Sequence, residues 1–342
     1  MNIQEVAHRA GVSTATVSRT INGSNKVTPK TAERVRRAIA ALNYYPNTNA
    51  RALGSGRSRL LGLIISDITN PFFPELVKNF EDIAVKHGLD VIVSNTGYSP
   101  ERTELCVQRM LERKVDGVAV MTSEMGEHLI ERLHSRQIPM VFLDTGRLDT
   151  GEPASGVSNI VVDYGGGIDD AVAHLVALGH STIGFISGPP DLASARTRRD
   201  AFLKSLKRNH LSISRSLIEI GNHRIDGGRM AMERLLQAKS RPTAVLSSND
   251  LTAIGAIGAI HQHGLRVPED ISVIGFDDIE ISAFLYPPLT TVRLSRAAIA
   301  DRAFHALYTT GDRSALTTAE YTIRPELVVR GSTAPLARKP GK

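Results

Sequence analysis

Between residues 60 and 293, short apolar runs alternate with amphipathic stretches, and this alternation restricts the possible folds more than any other feature of the chain. Nine apolar runs have strand length, from LLGLIIS at Leu60 to ISVIGFDD at Ile271. Stretches with helical spacing begin near residues 71, 100, 127, 166, 194, 228 and 251. Apolar strands separated by helices predict parallel sheets that are covered on both faces. Nine strands are more than a single doubly wound sheet usually contains, so we expect two doubly wound α/β lobes. The segments PASGVSN and LYPPLTT are the expected crossings between the lobes.

Polar residues follow many of the apolar runs, at the strand ends where open parallel sheets bind ligands. They are Ser66, Asp67, Asn95, Asp144, Asn222, His223, Asn249, Asp250, Asp277 and Asp278. Asn and Asp side chains suit a hydroxyl-rich ligand, because each can bond two adjacent groups. Some of these residues can equally cap helices or form ion pairs, and Asp250 and Asp278 fit either role.

The positive charge of the chain is concentrated at one end. Residues 1–60 contain ten Lys and Arg but only two acidic residues, whereas the remainder is close to neutral. A basic segment on a neutral body predicts a polyanionic partner, either nucleic acid or a membrane surface. The segment lacks the Trp, Phe and Leu face that a membrane-surface helix would bury, so nucleic acid is favoured.

The basic segment predicts three short helices. Asn2 can cap the first, which Gly11 ends, and Ser13 can cap the second. Thr28, followed by proline, can start the third. Two helices joined by a turn as short as AGV predict a helix-turn-helix.

The second predicted helix, TATVSRTI, has an unusually small and hydroxyl-rich surface. Val17 and Ile21 are one turn apart and face inward, which leaves Arg19 and its small neighbours facing outward. Such a helix can enter the DNA major groove, where an arginine can reach a guanine. Farther along, residues 47–53 predict a weak helix, and Leu53 beside arginines fits a minor-groove wedge.

Several motifs argue against other classes of protein. GHSTIG has Ile183 where a nucleophile elbow requires glycine, and DYGGGIDD lacks the Lys-Ser/Thr of a phosphate-binding loop. The small residues of GAIGAI recur at helical spacing, so this motif fits close packing of two helices better than a glycine-rich phosphate-binding loop. His261 and His263 have no carboxylate or cysteine cluster nearby, so neither a metal nor another cofactor is expected.

The single cysteine, Cys106, is expected to fill the core, and the absence of a second cysteine for an internal disulfide fits a reducing cytoplasm. No apolar run approaches the roughly 18 residues of a membrane span.

The segments IQEVAHRAGVSTATVSRTING and VTPKTAERVRRAIAALNYYPNTNARAL closely resemble the N-terminal module of the lactose-repressor/galactose-repressor (LacI/GalR) family of bacterial transcription regulators. The resemblance continues through LGLIISDITNPFFPEL, SARTRRDAF, PTAVLSSNDLTAIGAIGAI, GLRVPEDISVIGFDDIEIS and PPLTTVR. It covers roughly residues 2–333.

The resemblance implies an N-terminal all-α helix-turn-helix domain and a periplasmic-binding-protein-like α/β domain of two lobes around a ligand cleft. The expected parts are a DNA-binding head at 1–46, a hinge helix and linker at 47–59, an effector-binding and dimerisation domain at 60–333, and a tail at 334–342. Lobe 1 is expected at about 60–158 and 290–318, and lobe 2 at about 159–289 and 319–333. The tail has no leucine heptad, so a homodimer is expected rather than a dimer of dimers.

For DNA binding, we expect Thr14, Ala15 and Arg19 to read bases. The residues expected mainly to hold phosphates are Asn2, Ser13, Thr16, Asn22, Lys26 and Thr31. Leu53 is expected to open a base step from a helix that forms only on DNA.

For effector binding, the resemblance places Arg196, Asn249 and Asp277 at ligand-contacting positions and Phe72 with Phe73 at the wall of the first lobe. The expected effector residues are Phe72, Phe73, Asp144, Arg196, His223, Asn249 and Asp277. Many family members carry an aromatic side chain after the segment that here reads IEIGN, whereas this chain has His223 and Arg224. A histidine can donate hydrogen bonds or become cationic, which admits an acidic or phosphorylated ligand beside a neutral sugar.

The sequence therefore predicts a cytoplasmic, homodimeric transcription regulator, most simply a repressor. It is expected to bind palindromic operator DNA, under control of a sugar or sugar derivative. A purine or nucleoside co-repressor is the alternative effector. A sugar-active enzyme or a solute-binding protein is disfavoured, since the latter requires a secretion signal and no basic head.

Overall fold

The structure, a computed structural model, describes residues 2–21, 23–45, 57–122, 125–144, 156–212, 214–308 and 318–336. The chain divides into two compact units, Met1–Arg59 and Leu60–Lys342.

The first unit contains the three predicted helices, α1 (Ile3–Ala10), α2 (Thr14–Ile21) and α3 (Pro29–Ala41). The predicted cap residues Asn2 and Thr28 begin α1 and α3. The Asn2 side chain accepts hydrogen bonds from the amides of Gln4 and Glu5, and Thr28 caps α3 ahead of a proline. The helices bury a small apolar core made of Val6, Ala7, Ala10, Val17, Val35 and Ala38. Val17 is the one buried residue of α2, and the other seven residues of this helix are half-buried or exposed.

The second unit contains two six-stranded sheets. Sheet 1 is entirely parallel, in the order β11-β5-β4-β3-β1-β2. Its strands are β1 (Leu60–Ile65), β2 (Asp90–Asn95), β3 (Gly117–Met121), β4 (Met140–Leu143), β5 (Val157–Val162) and β11 (Glu320–Ile323). Sheet 2 has the order β12-β10-β9-β8-β6-β7, and β12 alone is antiparallel to its neighbour. Its strands are β6 (Ile183–Ser187), β7 (Ile218–Ile220), β8 (Ala244–Ser247), β9 (Ser272–Asp277), β10 (Thr290–Arg293) and β12 (Glu326–Val328).

Helices connect the strands and cover the sheets. They are α4 (Phe72–Lys86), α5 (Pro100–Glu112), α6 (Glu127–His134), α7 (Tyr164–Ala177), α8 (Ala193–Arg208), α9 (Ile225–Leu236), α10 (Asp250–Gln262) and α11 (Arg296–Leu307). Short 3₁₀ turns occur at Arg215–Leu217 and Glu280–Ala283. All nine predicted strands and all seven predicted helix starts are present, whereas β10, β11, β12 and α11 were not predicted.

Strand β1 shows why its sheet is covered on both faces. Leu61, Leu63 and Ile65 join a cluster with the apolar sides of α4 and α11. Ile64 points to the opposite face and packs in a second cluster with α5 and α6. Cys106 is buried in that second cluster, as predicted. A strand buried on both faces must be apolar throughout, which is the pattern that the sequence shows.

The chain passes between the lobes three times, after β5, after β10 and after β11. The predicted lobe boundaries were wrong by one strand at each crossing. Residues 157–162 pair in sheet 1, 290–293 pair in sheet 2 and 320–323 pair in sheet 1. PASGVSN and LYPPLTT therefore lead into the last strand before each crossing, rather than forming the crossing itself. Only the hydrogen-bonded neighbours of these strands decide which sheet each strand joins.

The glycines of GAIGAI allow α9 and α10 to pack closely, as predicted. A Cβ atom on Gly255 would lie 2.0 Å from the carbonyl oxygen of Ile225, and one on Gly228 would lie 2.2 Å from that of Thr252. Gly258 differs, because a Cβ there would meet nothing within 4 Å. Two backbones can approach this closely only where side chains are absent.

Candidate effector site and DNA-binding surface

A cavity of about 80 Å³ lies between the lobes, at the carboxyl ends of strands from both sheets. This is the position at which open parallel sheets bind ligands. Six of the seven predicted effector residues line it, namely Phe72, Phe73, Asp144, His223, Asn249 and Asp277. Further lining residues are Ser66, Asn70, Tyr98, Met121, Thr122, Leu143, Tyr164, Leu192, Ser194, Arg198 and Leu294.

The first lobe contributes an aromatic wall. Phe72 and Phe73 begin α4 and pack edge to face, with ring centroids 5.3 Å apart. The Asn70 side chain accepts a hydrogen bond from the amide of Phe72 at 3.1 Å, which fixes the start of the helix. Such a wall can contact the apolar face of a sugar ring or a flat heterocycle.

Asp144 follows β4 and presents a half-buried carboxylate. One oxygen accepts from the amide of Val162 at 2.8 Å, and the other accepts from the Tyr164 hydroxyl. Burial raises the pKa of Asp144 above its ordinary value, although these two hydrogen bonds oppose the shift. The same neighbours hold the carboxylate rigidly beside the cavity.

The arginine of the cavity is Arg198, and the prediction that Arg196 contacts the effector is wrong. Arg196 is exposed, and its guanidinium donates to the carbonyl oxygens of Pro190 and Asp191, both at 2.8 Å. Arg198 is buried, with its Cζ 4.8 Å and 4.3 Å from the ring centroids of Tyr164 and Phe276.

The side of helix α8 that each arginine occupies explains the error. The buried residues Ala195, Arg198, Ala201, Phe202 and Ser205 recur at helical spacing, so they share one face. Ser194 and Arg198 are four residues apart and both line the cavity. Arg196 lies about 200° around the helix from either of them. The apolar spacing of SARTRRDAF contained this signal, whereas the resemblance alone did not separate the two arginines.

His223 lines the cavity as a neutral side chain. Burial, together with the positive charge of Arg198, lowers the pKa of His223 to about 3. Its Nε2 atom has no hydrogen-bond partner among the described residues. Asn249 fixes the backbone beside it, since the Asn249 amide group donates to the His223 carbonyl oxygen at 3.0 Å. Asn249 also caps α10 by accepting from the amide of Thr252, so part of its bonding capacity is structural.

Asp277 ends β9 and is the second carboxylate of the cavity. Burial raises the pKa of Asp277 to about 6, although the nearby Arg198 and Arg296 oppose the shift. Its Oδ1 atom lies 3.9 Å from an Arg198 nitrogen. Asp250 and Asp278, in contrast, are structural. The Asp250 carboxylate accepts from the amide of Ile279 and from the hydroxyls of Ser282 and Thr291. Asp278 pairs with Arg293 and Arg330, both at 2.6 Å.

The charges around the cavity favour a neutral ligand. Two carboxylates, Asp144 and Asp277, face one guanidinium, that of Arg198, and the neighbouring His223 is neutral. Arg224 does not line the cavity, because its guanidinium pairs with Asp67 at 3.0 Å. Among the described residues that line the cavity, the positive charge therefore comes from Arg198 rather than from Arg196 or Arg224. Carboxylate and guanidinium groups together suit neighbouring hydroxyl groups, which both donate and accept.

The surface of α2 in the head is available to a partner. Thr14, Ala15 and Arg19 are exposed on one side of the helix. Ser13 and Thr16 are hydrogen-bonded to each other through their hydroxyls at 3.0 Å, at the start of the same helix. Lys26 is exposed in the turn after α2, and Thr31 lies in the first turn of α3. Asn22 and Leu53, which complete the predicted DNA-binding set, lie outside the described residues.

Within the described parts of the chain, no group of three His, Cys, Asp or Glu side chains could hold a metal ion. The helices described there include none that combines the length and apolar character of a membrane span.

A basic helix-turn-helix head and a two-lobed α/β domain with a ligand cleft define a class of ligand-controlled DNA-binding regulators. Residues 2–47 match the family described as bacterial regulatory proteins, lacI family, and residues 172–333 match the periplasmic binding protein-like domain. The "HTH-type transcriptional repressor PurR" of Haemophilus influenzae (strain PittEE) is 36% identical over 337 residues, covering 96% of this chain and 98% of the relative.

Two solved structures extend the likeness to the whole fold. A lac repressor dimer bound to operator and the anti-inducer ONPF has a TM-score of 0.85 at 31% identity, and covers 98% of this chain and 99% of its own. A transcriptional regulator CelR–cellobiose complex has a TM-score of 0.72 at 28% identity, over 97% of this chain and 99% of its own. This chain belongs to the LacI family of bacterial regulatory proteins. It is a DNA-binding transcriptional repressor with a small-molecule effector domain, and not an enzyme.

Proposed function

We propose that this repressor binds palindromic operator DNA as a homodimer in the cytoplasm and that a neutral, hydroxyl-rich small molecule in the cleft controls that binding. The observation that carries the effector class is the balance of two carboxylates, that of buried Asp277 and that of half-buried Asp144, against the one buried guanidinium of Arg198 around the cavity. The solved relatives support the scheme, since one is a dimer on operator DNA and another holds cellobiose.

For the head, we propose that α2 enters the major groove with Thr14, Ala15 and Arg19 reading bases. The proposed phosphate contacts are Asn2, Ser13, Thr16, Asn22, Lys26 and Thr31. The support is the exposure of the reading face and its small side chains, which leave only Arg19 with long reach.

Substitutions in the head separate base reading from phosphate binding. Arg19→Ala should cost about 1–3 kcal/mol on the operator selected from randomised DNA and relax specificity at one position per half-site, because a base contact is lost. Lys26→Ala should weaken operator and scrambled DNA alike and lower the salt slope by about one, because a phosphate contact is lost. Binding isotherms at several salt concentrations measure both. Equal losses on the two DNAs for Arg19→Ala would show that Arg19 does not read a base.

For the cleft, we propose that Asp144, Asp277, Arg198 and Asn249 bond the hydroxyl groups of one sugar-sized molecule while Phe72 and Phe73 cover a ring face. His223 closes the opposite side with a neutral ring, and its Nε2, which has no hydrogen-bond partner among the described residues, can bond the ligand. A purine or nucleoside is the second candidate, because the edge-to-face phenylalanine pair can also flank a flat heterocycle.

A thermal-shift panel of neutral sugars, sugar acids, sugar phosphates and nucleosides tests the effector class. A neutral sugar at a hundredfold excess over its Kd should stabilise the protein by about 2.7 kcal/mol, which raises Tm by several degrees. Arg198→Lys should abolish the shift and the change in operator affinity, whereas the matched Arg196→Lys should keep both. A sugar acid or phosphate as the sole hit, or a full response in Arg198→Lys, would overturn the proposed class or placement. A nucleoside as the sole hit would favour the second candidate.

A further inference from the structure

One ion pair joins the two lobes at the edge of the cavity. Asp67 follows β1 in lobe 1, and Arg224 immediately precedes α9 in lobe 2, with 3.0 Å between carboxylate oxygen and guanidinium nitrogen. Their chain neighbours Ser66 and His223 both line the cavity. The Asp67 side chain is 9% exposed, whereas that of Arg224 is 58% exposed. The pair therefore lies where the cleft meets solvent.

Lobe 1 positions the Asp67 carboxylate but does not neutralise it. One oxygen accepts from the amide and the hydroxyl of Thr69, at 3.0 Å and 2.6 Å. The other oxygen accepts from Arg224, the only cation within 4 Å of Asp67 in the described part of the chain. A carboxylate this buried is costly without a cationic partner. Separation of the lobes takes that partner away.

Arg224 and His223 occupy one tight turn. The backbone of His223 is left-handed, with φ of 63°, and the Asn222 side chain accepts from the Arg224 amide at 3.0 Å. This geometry sends the imidazole into the cavity and the neighbouring guanidinium across to Asp67. A movement of Arg224 away from lobe 1 therefore also moves the wall of the ligand cavity.

We propose that Asp67 and Arg224 form a clasp that holds the two lobes closed and positions His223 against the ligand. Arg224 is a positioning residue, since it acts through the lobes and through His223 rather than by contact with the effector. The clasp links closure to ligand binding, because a ligand that contacts both lobes and an ion pair that joins them favour the same conformation.

Chemical labelling of His223 tests the clasp without any effector. Diethyl pyrocarbonate reacts with accessible neutral imidazoles, and mass spectrometry of peptides reports each histidine separately. Arg224→Gln and Asp67→Asn in the full chain should each raise the labelling rate of His223 by about two- to fivefold, the change that about 1 kcal/mol of ion-pair energy predicts. The double variant should be no faster than either single variant, because the same interaction is lost in each.

Matched controls separate closure from loss of structure. Arg224→Lys should keep the slow rate, since it keeps the charge. Arg229→Gln removes an arginine whose ion pair with Glu233 lies within α9, so it should change nothing. The rate at His180, which is buried within lobe 2, should stay constant in all variants. An unchanged His223 rate in Arg224→Gln would overturn the clasp, and so would an equal rise in Arg229→Gln. The effector panel decides the proposed function independently, since no ligand enters this measurement.

Discussion

Four residues around the cavity hold a backbone conformation that side chains other than glycine rarely adopt. They are Tyr98, Asp144, His223 and Asp277, with φ of 59°, 56°, 63° and 112°. Such residues persist only where the surrounding structure enforces them, and they concentrate at binding sites. Each of these residues ends a strand or lies within three residues of a strand end, where the positive φ turns its side chain towards the cleft.

Asp277 combines this conformation with a buried charge, which has a consequence for stability. Its folded-state pKa of about 6 exceeds the ordinary value of 3.8. Between these two pH values the folded protein binds more protons than the unfolded chain, so stability falls as pH rises through that window. Asparagine tolerates positive φ and carries no charge. Asp277→Asn should therefore raise the free energy of unfolding at pH 7 by about 1–3 kcal/mol, and it should abolish the effector response.

Urea denaturation from pH 4 to 7 measures this gain. It should disappear near pH 4, where the wild-type carboxyl approaches full protonation in the folded protein. The neighbouring Asp278→Asn is the control and should lower stability at pH 7, because Asp278 pairs with Arg293 and Arg330. A less stable Asp277→Asn protein at pH 7 would contradict the assignment of a buried, costly carboxylate.

At the scale of elements, the packing of α9 against α10 depends on individual glycines. Gly255→Ala should destabilise the protein by about 1–3 kcal/mol, because the new methyl group would overlap the carbonyl oxygen of Ile225. Gly258→Ala, one turn away on the same helix, should stabilise it by about 0.5–1 kcal/mol, since the methyl group meets nothing and helix propensity improves. Thermal unfolding of both variants measures these two changes in stability. Losses of similar size in both would mean that backbone contact does not govern this interface.

The sequence predicts elements better than it predicts their neighbours. The apolar runs located nine strands and the cap residues located the head helices, since both signals are local. The strands β10 (TTVR), β11 (EYTI) and β12 (ELV) were not predicted because each contains at most two adjacent apolar residues. Without these strands the sequence does not show which sheet each of them joins, and the predicted lobe boundaries were wrong for that reason.

The candidate site shows the same division. Asp144, Asn249 and Asp277 were predicted because strand ends are visible in the sequence. Tyr164 was missed, since it lies at a crossing whose position depends on the sheet that β5 joins. Arg198 was missed for a different reason, because the resemblance indicated Arg196, whereas the helical spacing of the small and apolar residues around Arg198 indicates that Arg198 faces inward. Only the first of these two errors required the structure for its correction.

At the scale of the whole molecule, the proposed function requires that the cleft and the DNA contact influence one another. Leu53 and the weak helix predicted around it belong to the first unit and lie outside the described residues. We expect residues 47–54 to become helical only on operator DNA, with Leu53 of each subunit opening the central base step.

Leu53→Ala should weaken operator binding by a few kcal/mol, because the inserted side chain holds the kinked DNA open. The affinity for effector should remain nearly unchanged, since the described residues that line the cavity all belong to the second unit. Hydrogen exchange with and without operator measures the helix directly. Protection of residues 47–54 in the free protein would contradict folding on DNA, and an equal loss of effector binding would contradict the separation of the two sites.

The three crossings also impose an order on biosynthesis. Lobe 1 begins at β1, but its last strand, β11, is made about 160 residues after β5, the neighbour with which it pairs. At about 5–20 residues per second, the ribosome therefore holds a nascent lobe 1 with β5 as an open edge for about 8–30 s. Lobe 2 waits for less time, because its last strand, β12, follows its neighbour β10 by only about 35 residues. Both lobes are therefore completed almost together, when β11 and β12 have been made, although lobe 1 begins well before lobe 2.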